Sequence, residues 1–325
     1  MSTQHITSLV QNPYSHKVTD KIDSLDDIKL DWQVQKQPMV ALLDGKYPTP
    51  IESHMSVHRG DNNQGLGIVG KGYECIQNSQ LWDGLNRSLD GVDYHICGGG
   101  YLNDGGTVFI QAKVGDDVNT VNGDKFNDYL TFYSSHDGSS ALTMYDTSVR
   151  IICQNTIGSS FTKGGKQVKL RVRHTRNASI QFDNLLSHIE AMFKHRQTVY
   201  AEMQGLTVNS MQHNQMIEWA TSFFNKANKL SSVSSNKAHE SVRLAKNGVG
   251  NHGESAYDML NGVTELLTHG NRTAQNAEKT YKSSEFGTHA QYKANALADL
   301  SDRATALRHI ERGRQLIRHG EAITA

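Results

Sequence analysis

One segment of the chain carries a charge pattern suited to binding an anion. From Lys163 to Arg176 the sequence reads KGGKQVKLRVRHTR, with six basic residues and no acidic one. Because the whole chain has 33 basic and 33 acidic residues, the remainder is acidic by six charges. A row of guanidinium and ammonium groups on a rigid element suits a phosphate backbone. The segment therefore predicts nucleic-acid contacts from Lys163, Lys166, Lys169, Arg171, Arg173 and Arg176.

The spacing of these cations predicts the element that holds them. Between residues 168 and 173, Val, Leu and Val alternate with Lys, Arg and Arg. On a strand, alternate side chains share a face, so one face is apolar and the other cationic. Contact by all six with a single strand would give a salt slope on the order of −4, at ~0.7 per contact. The alternative is a sheet edge guarded against pairing, which needs only one or two charges.

A further candidate for phosphate contact is Arg150, in the segment VRIICQNTI that spans residues 149–157. The segment fits a strand or a helix. In a helix, Arg150 and Gln154 would lie one turn apart on one face. A buried polar network and contacts to phosphate and base edges are equally compatible with this pattern.

Two segments invite an enzymatic interpretation. His136 precedes Asp137 and Gly138, but neighbouring residues on an extended chain face opposite ways, and Asp–Gly is a common turn pair. Cys153 lies among isoleucines, which indicates a buried thiol. The chain also lacks H-E-x-x-H, C-x-x-C and P-loop spacing. We predict no catalytic residue, no metal, no cofactor and no enzymatic activity.

Aromatic and basic residues elsewhere suggest further contacts with nucleic acid. Four tyrosines in predicted strands are candidates for base stacking, although most are expected in the core. They are Tyr101, Tyr129, Tyr133 and Tyr145. The last predicted helix is rich in arginine, which fits a helix that packs on the domain and exposes a basic face to solvent. A second DNA contact or a partner-binding tail are the alternatives.

The periodicity along the chain predicts an α+β fold. The N-terminal half reads as a mostly antiparallel β-sheet with a packed helix near 78–89, and a hairpin turn falls at 103–106. The C-terminal half is helical, with helices near 183–203, 255–268 and 289–319 among them. The predicted organisation is a mobile N-terminus (1–23), an α+β core with the basic strand (24–180), a helical segment packed on it (181–230), a flexible loop (231–254) and a helical C-terminal region with a basic last helix (255–325).

The composition limits the class of protein. A pI near 7.3 excludes a uniformly basic protein, so nucleic-acid affinity must come from local patches. Three cysteines without pairing motifs argue against a disulfide framework. The first residues lack a signal-peptide core, and no run of 18 apolar residues occurs. We expect a cytoplasmic protein without membrane contact.

Several phrases of the sequence resemble the DUF932 family of phages and plasmids, from about residue 24 to residue 300. The most distinctive are SHDGSSA, within the segment 129–142, and VRIICQNT, within 149–157. The others are LGIVGKGYECIQNSQLWD (66–83), GGTVFIQAKV (105–114), RVRHT (171–175), SAYDMLNGVTELLTH (255–269) and EFGTHAQYKANAL (285–297). The resemblance implies a role in nucleic-acid metabolism or counter-defence. The order of elements is also similar to that of the Rad52-like single-strand annealing proteins, which is an analogy of fold.

Two functional hypotheses follow. The first is a phage- or plasmid-encoded protein that binds single-stranded DNA, or another nucleic acid, in recombination, annealing or replication. It would form a homo-oligomeric ring or filament and leave the bases free to pair. The alternative is a counter-defence protein whose basic strand meets a host protein.

Overall fold

A computed structural model describes residues 22–115, 119–150, 156–158, 161–162, 166–167, 170–186, 188–270, 277–285 and 287–324. The predicted α+β class is confirmed, with antiparallel sheets in the N-terminal half and helices in the C-terminal half. The chain divides into two compact units. The first comprises the described residues within 1–116, 128–146 and 169–192, and the second those within 117–127, 147–168 and 193–325.

The strands form three antiparallel groups. A three-stranded sheet has the order β1-β2-β3, and β10 pairs with β11. A larger sheet has the order β12-β8-β7-β5-β4, with β6 added to β7 and β9 added to β8. The strands are β1 (Val34–Leu43), β2 (Tyr47–Arg59), β3 (Gly65–Gly70), β4 (Tyr94–Leu102), β5 (Thr107–Val114), β6 (Asn119–Val121), β7 (Asp124–Ser135), β8 (Leu142–Arg150), β9 (Thr156–Gly158), β10 (Phe161–Thr162), β11 (Lys166–Gln167) and β12 (Leu170–Val172).

Two helices cover one face of the larger sheet in the first unit. The predicted helix near 78–89 is α1 (Asn78–Ser88), and its apolar stripe is fully buried at Leu81 and Leu85. The second is α2 (Ala178–Leu186), whose Phe182 meets Phe132 of β7 edge-on at 5.6 Å. The helices approach closely at Gly84, where any side chain would overlap the Phe182 ring. This packing fixes the chain that leaves β12.

The remaining helices belong wholly or mostly to the second unit. They are α3 (Ile189–Thr207), α4 (His213–Phe224), α5 (Ser232–Asn247), α6 (Ala256–His269), α7 (Ala277–Glu285), α8 (Thr288–Ser301) and α9 (Arg303–Thr324). Trp219 and Phe223 of α4, stacked at 4.7 Å, lie at the centre of a large apolar cluster. None of the described helices combines the length and the apolar character needed to cross a bilayer.

The helical half corrects three sequence predictions. The flexible loop predicted at 231–254 is wrong, because most of it forms α5. Ser231 caps this helix by accepting a bond from the Ser234 backbone, and a stripe of small residues including Ala238 and Ala245 is buried. The helices predicted near 183–203 and 289–319 each consist of two helices in the structure.

Candidate nucleic-acid interface

The edge strand β12 carries the predicted alternation of buried and exposed side chains. Its residues pair with β8, placing Arg171 opposite Thr143 and Val172 opposite Leu142. Val172 is 2% exposed and His174 is 7% exposed. Arg171 and Arg173, between and beside them, are exposed. The prediction of one apolar face and one cationic face is therefore confirmed over residues 170–174.

The three described arginines of the basic segment have unengaged head groups. Arg171 and Arg173 lie on one face, and the exposed Arg176 follows in the turn before α2. Across the described part of the chain, no ion pair or side-chain hydrogen bond reaches these guanidinium groups. Residues two apart on a strand stand roughly 6.6 Å apart, so the two guanidinium groups can contact separate phosphates.

His174 anchors the end of this strand. Its ring stacks on Tyr73 at 4.7 Å, and its backbone carbonyl accepts a bond from the Glu74 N–H at 3.0 Å. Its Nδ1 lies 3.0 Å from the Glu74 carbonyl, so Nδ1 must donate. Nε2 then accepts from the Ser134 hydroxyl at 3.3 Å. Burial lowers the pKa of His174, which favours this neutral form and a rigid base for Arg171 and Arg173.

Only one of the three predicted lysines of the basic segment lies among the described residues. Lys166 lies in β11, which pairs with β10 as a separate two-stranded group in the second unit. Lys163 and Lys169 fall outside the described residues. Because β11 and β12 pair with different partners, Lys166 and Arg171 belong to different sheets.

Arg150 occupies a buried polar network in the second unit. Its side chain is 1% exposed and forms an ion pair with Asp124, with Nη2 and Oδ2 2.6 Å apart. It also donates to Asn251 Oδ1 at 2.8 Å and to the Gly250 carbonyl at 2.9 Å. Tyr257 donates to the same Asp124 carboxylate at 2.8 Å. These contacts fit the buried polar network that is one of the two interpretations of the sequence. Arg150 is therefore not among the proposed phosphate contacts.

His136 and Asp137 form a structural turn. His136 is fully buried, with Nε2 3.0 Å from Asn78 Oδ1, and burial lowers its pKa to about 3. Asp137 Oδ1 accepts the backbone N–H of Ser139 at 2.8 Å. Gly138 has φ +78°, which an L side chain rarely adopts. A base this buried and this weak has no route to a substrate.

The predicted stacking tyrosines are not surface platforms. Tyr129, Tyr133 and Tyr145 are 6%, 4% and 1% exposed. Tyr101 instead faces Arg59, whose guanidinium lies 4.8 Å from its ring and 4.4 Å from the ring of Trp32. Asp61 completes this cluster with an oxygen 2.7 Å from Arg59. Sequence reasoning missed the cluster, since its members are far apart in the chain.

Other reactive groups of the described residues do not assemble into a site. Burial raises the pKa of Cys75 to about 11 and that of Cys97 to about 12, so both thiols stay protonated at neutral pH. Cys153 lies outside the described residues. No group of three or more potential metal ligands occurs within the described ranges. An open cleft of about 480 Å³ between α1 and α2 is lined by Asp83, Asp183 and Arg87, and Arg87 pairs with Asp183 at 3.1 Å.

Comparison with known proteins identifies a family. A family model described as a domain of unknown function, DUF932, matches residues 65–297. That span includes the strands from β3 to β12, the helices from α1 to α7 and most of α8. No curated protein and no solved structure matches the chain. The comparisons therefore do not indicate a function, which must be inferred from the residues of the chain.

Proposed function

This chain belongs to the DUF932 family, whose function is undefined, and we propose that it binds the phosphate backbone of single-stranded nucleic acid through Arg171, Arg173 and Arg176. The observation behind the proposal is that three exposed arginines on and beside one anchored strand have no acidic partner among the described residues. Arginine suits this task because its planar fork offers paired donors to phosphate oxygens.

Protection of the sheet edge explains these residues less well. Edge strands are guarded by shortness, prolines or one or two charges. β12 has only three residues, so it is already short. Arg176 lies beyond the strand, where it guards no backbone edge. A cationic ligand surface accounts for all three positions together.

Contacts with the phosphates of a single strand are favoured over contacts that recognise its bases. The tyrosines that stacking would require are buried or engaged, so contacts would be made to phosphates. Such contacts position a strand and carry no sequence information. They leave the bases free to pair, as annealing during phage or plasmid recombination or replication requires.

The test compares affinities for a labelled oligothymidylate by fluorescence anisotropy at several salt concentrations. The triple variant Arg171→Glu, Arg173→Glu, Arg176→Glu is expected to lose most of the affinity. The milder triple Arg→Gln variant should reduce the slope of log affinity against log salt by about 2, at ~0.7 per phosphate contact. Parallel titrations with duplex DNA and with RNA define the preferred nucleic acid.

A matched control reverses the same number of charges on exposed helix and loop lysines. Lys194, Lys229 and Lys237 are exposed in the second unit, and their change to Glu alters the net charge equally. We expect this control to retain most of its affinity. Equal losses of affinity in both triple variants would mean that the effect depends on net charge alone. Unaltered binding by the arginine variant would exclude this surface, and a host-protein partner would then be the hypothesis to pursue.

A further inference from the structure

The outer part of the β1–β2 hairpin exposes apolar side chains on both faces. None of the residues 39–51 is buried, and these residues include Met39, Ala41 and Ile51 at intermediate exposure. Large apolar side chains here are mostly in solvent, at 56% for Val40, 64% for Leu42, 54% for Leu43 and 67% for Tyr47. We call residues 39–51 the hairpin arm. Exposed apolar clusters of this kind mark interaction sites.

Among the described residues, no third strand pairs with the arm. β3 pairs with β2 only from His54 to His58, below the arm. Residues 39–51 therefore form a two-stranded ribbon, which is at best marginally stable in water. An additional strand or a covering surface would stabilise it.

The outer edge of β1 has a hydrogen-bonding partner near its start, and within the arm no described strand pairs with it. Gln77 brackets Val34, accepting from its N–H at 2.8 Å and donating to its carbonyl at 3.1 Å. The backbone groups of Val34 thus point away from β2. Alternate residues of a regular strand share this direction, which would place Val40 and Leu42 on the same outer edge, although the pairing with β2 shifts register between Pro38 and Met39.

The prolines of β2 support this assignment independently. Leu42 pairs with Pro48 and Val40 pairs with Pro50. Because proline has no N–H, these are positions where the paired strands exchange no hydrogen bonds. The backbone groups of Val40 and Leu42 therefore face outward. On the opposite edge of the arm, Pro48 and Pro50 have no N–H to offer, so only the β1 edge can add a strand.

We propose that the β1 edge of the hairpin arm pairs antiparallel with the same edge of a second copy of the chain. A two-fold axis at Ala41 places Val40 opposite Leu42 in both directions, and each such pair exchanges two hydrogen bonds. Met39 then lies opposite Leu43. The segment from 39 to 43 reads MVALL and carries no charge, so self-pairing brings no like charges together. The result is a four-stranded ribbon in place of two marginal ones.

This interface is independent of the proposed nucleic-acid surface. The arm belongs to residues outside the family match, which begins at residue 65. Its test is made without nucleic acid, so failure of either proposal leaves the other open.

Disulfide trapping tests the pairing and its register. In the proposed register, the two Ala41 Cα atoms lie about 4.5 Å apart, within the range of a disulfide. Ala41→Cys should form a dimer rapidly under mild oxidation. Leu43→Cys alone should not, because it lies roughly 14 Å from its copy along the strand. The double variant Met39→Cys, Leu43→Cys should cross-link again. The wild type reports any background from its three native cysteines.

A second measurement addresses the oligomeric state by size-exclusion chromatography with light scattering. Val40→Lys with Leu42→Lys should convert the oligomer to a species of half the mass. The control Tyr47→Lys with Thr49→Lys places the same charges on the other strand, keeps both prolines and should leave the mass unchanged. Circular dichroism establishes that each variant is folded. A monomeric wild type, or Ala41→Cys cross-linking no faster than wild type, would overturn the proposal, and so would equal effects of the two lysine pairs.

Discussion

His136 is held as a neutral imidazole by its partners in the first unit. The Asn78 side-chain nitrogen donates to the carbonyls of Leu30 and Trp32, both at 3.1 Å. Asn78 Oδ1 is therefore left to accept, and His136 Nε2 must be the protonated nitrogen. Nδ1 is buried and has no hydrogen-bond partner among the described residues. A second proton on this ring would create a buried charge without an acceptor there, which explains why burial lowers the pKa to about 3.

This residue should make the fold sensitive to acid. The unfolded chain binds a proton at His136 near pH 6.5, whereas the folded chain does so only near pH 3. Its contribution to stability is thus complete above pH 6.5 and declines as the pH falls toward 3, by up to about 1.4 kcal/mol per pH unit. His136→Gln should flatten the plot of unfolding free energy against pH between 6 and 4, measured in urea.

The exposed His54 offers the matched control for this experiment. His54→Gln removes an exposed histidine of β2 in the first unit, and the slope should stay that of the wild type. His174 also has a lowered pKa, so some acid sensitivity should remain in His136→Gln. An unchanged slope in that variant would show that His136 titrates alike in both states.

Arg171 and Arg150 show which features of a site can be predicted from a sequence. Arg171 was predictable, because its exposure follows from a period of two over neighbouring residues. The fate of Arg150 depends on Asp124 and Asn251, which are 26 and 101 positions away. No local pattern distinguishes an arginine that meets phosphate from one that meets a distant carboxylate.

At the scale of elements, α9 is fastened to α4 by a close crossing. A side chain at Gly313 would overlap the backbone carbonyl of Glu218. Around this point, Arg314 makes a paired contact with the Glu218 carboxylate at 2.9 and 3.0 Å. Arg312 donates to the carbonyls of Ser222, Asn225 and Ala227 at the end of α4. Two arginines of the basic last helix are therefore used in packing, as the first sequence interpretation of that helix expects.

The crossing gives a prediction with an internal control. Gly313→Ala should lower the unfolding free energy by about 1–3 kcal/mol, because the added methyl group forces the helices apart. Gly320→Ala in the same helix meets only Leu230, at 3.8 Å, which is an ordinary contact. It should be neutral or stabilising by up to about 1 kcal/mol, as expected for alanine in a helix. Urea unfolding measures both, and similar values for the two variants would contradict the close crossing.

Secondary-structure elements could be predicted where the hydrophobic pattern was strong, and they were missed where it was weak. Two strong patterns could be predicted: the apolar stripe of α1 with Leu81 and Leu85, and the alternation of buried and exposed residues in β12. Helix α5 was not predicted, since serine, asparagine and lysine dominate its sequence and its buried stripe consists of small residues. Small buried residues give little hydrophobic contrast, so only the cap at Ser231 signals the helix.

At the scale of the whole molecule, zero net charge leaves little non-specific attraction for nucleic acid. Affinity must then come from a local surface, and three arginines on one copy supply few phosphate contacts. Joining copies through the hairpin arm would present two such surfaces to one strand. Binding of the second surface becomes intramolecular and gains from the effective concentration of the first. The two proposals together therefore predict a dependence on the length of the nucleic acid.

Wild-type affinity should rise steeply, by roughly 100-fold or more, once an oligothymidylate is long enough to reach two copies. Val40→Lys with Leu42→Lys should retain the affinity for short oligonucleotides and lose this step, because its arginine surface is intact and its arm cannot pair. The triple Arg→Glu variant should stay oligomeric and bind neither length. Anisotropy titrations over a series of oligonucleotide lengths separate the three proteins. A step that persists in the lysine variant would mean that copies meet on the strand through another surface, since the arm would then add nothing to binding.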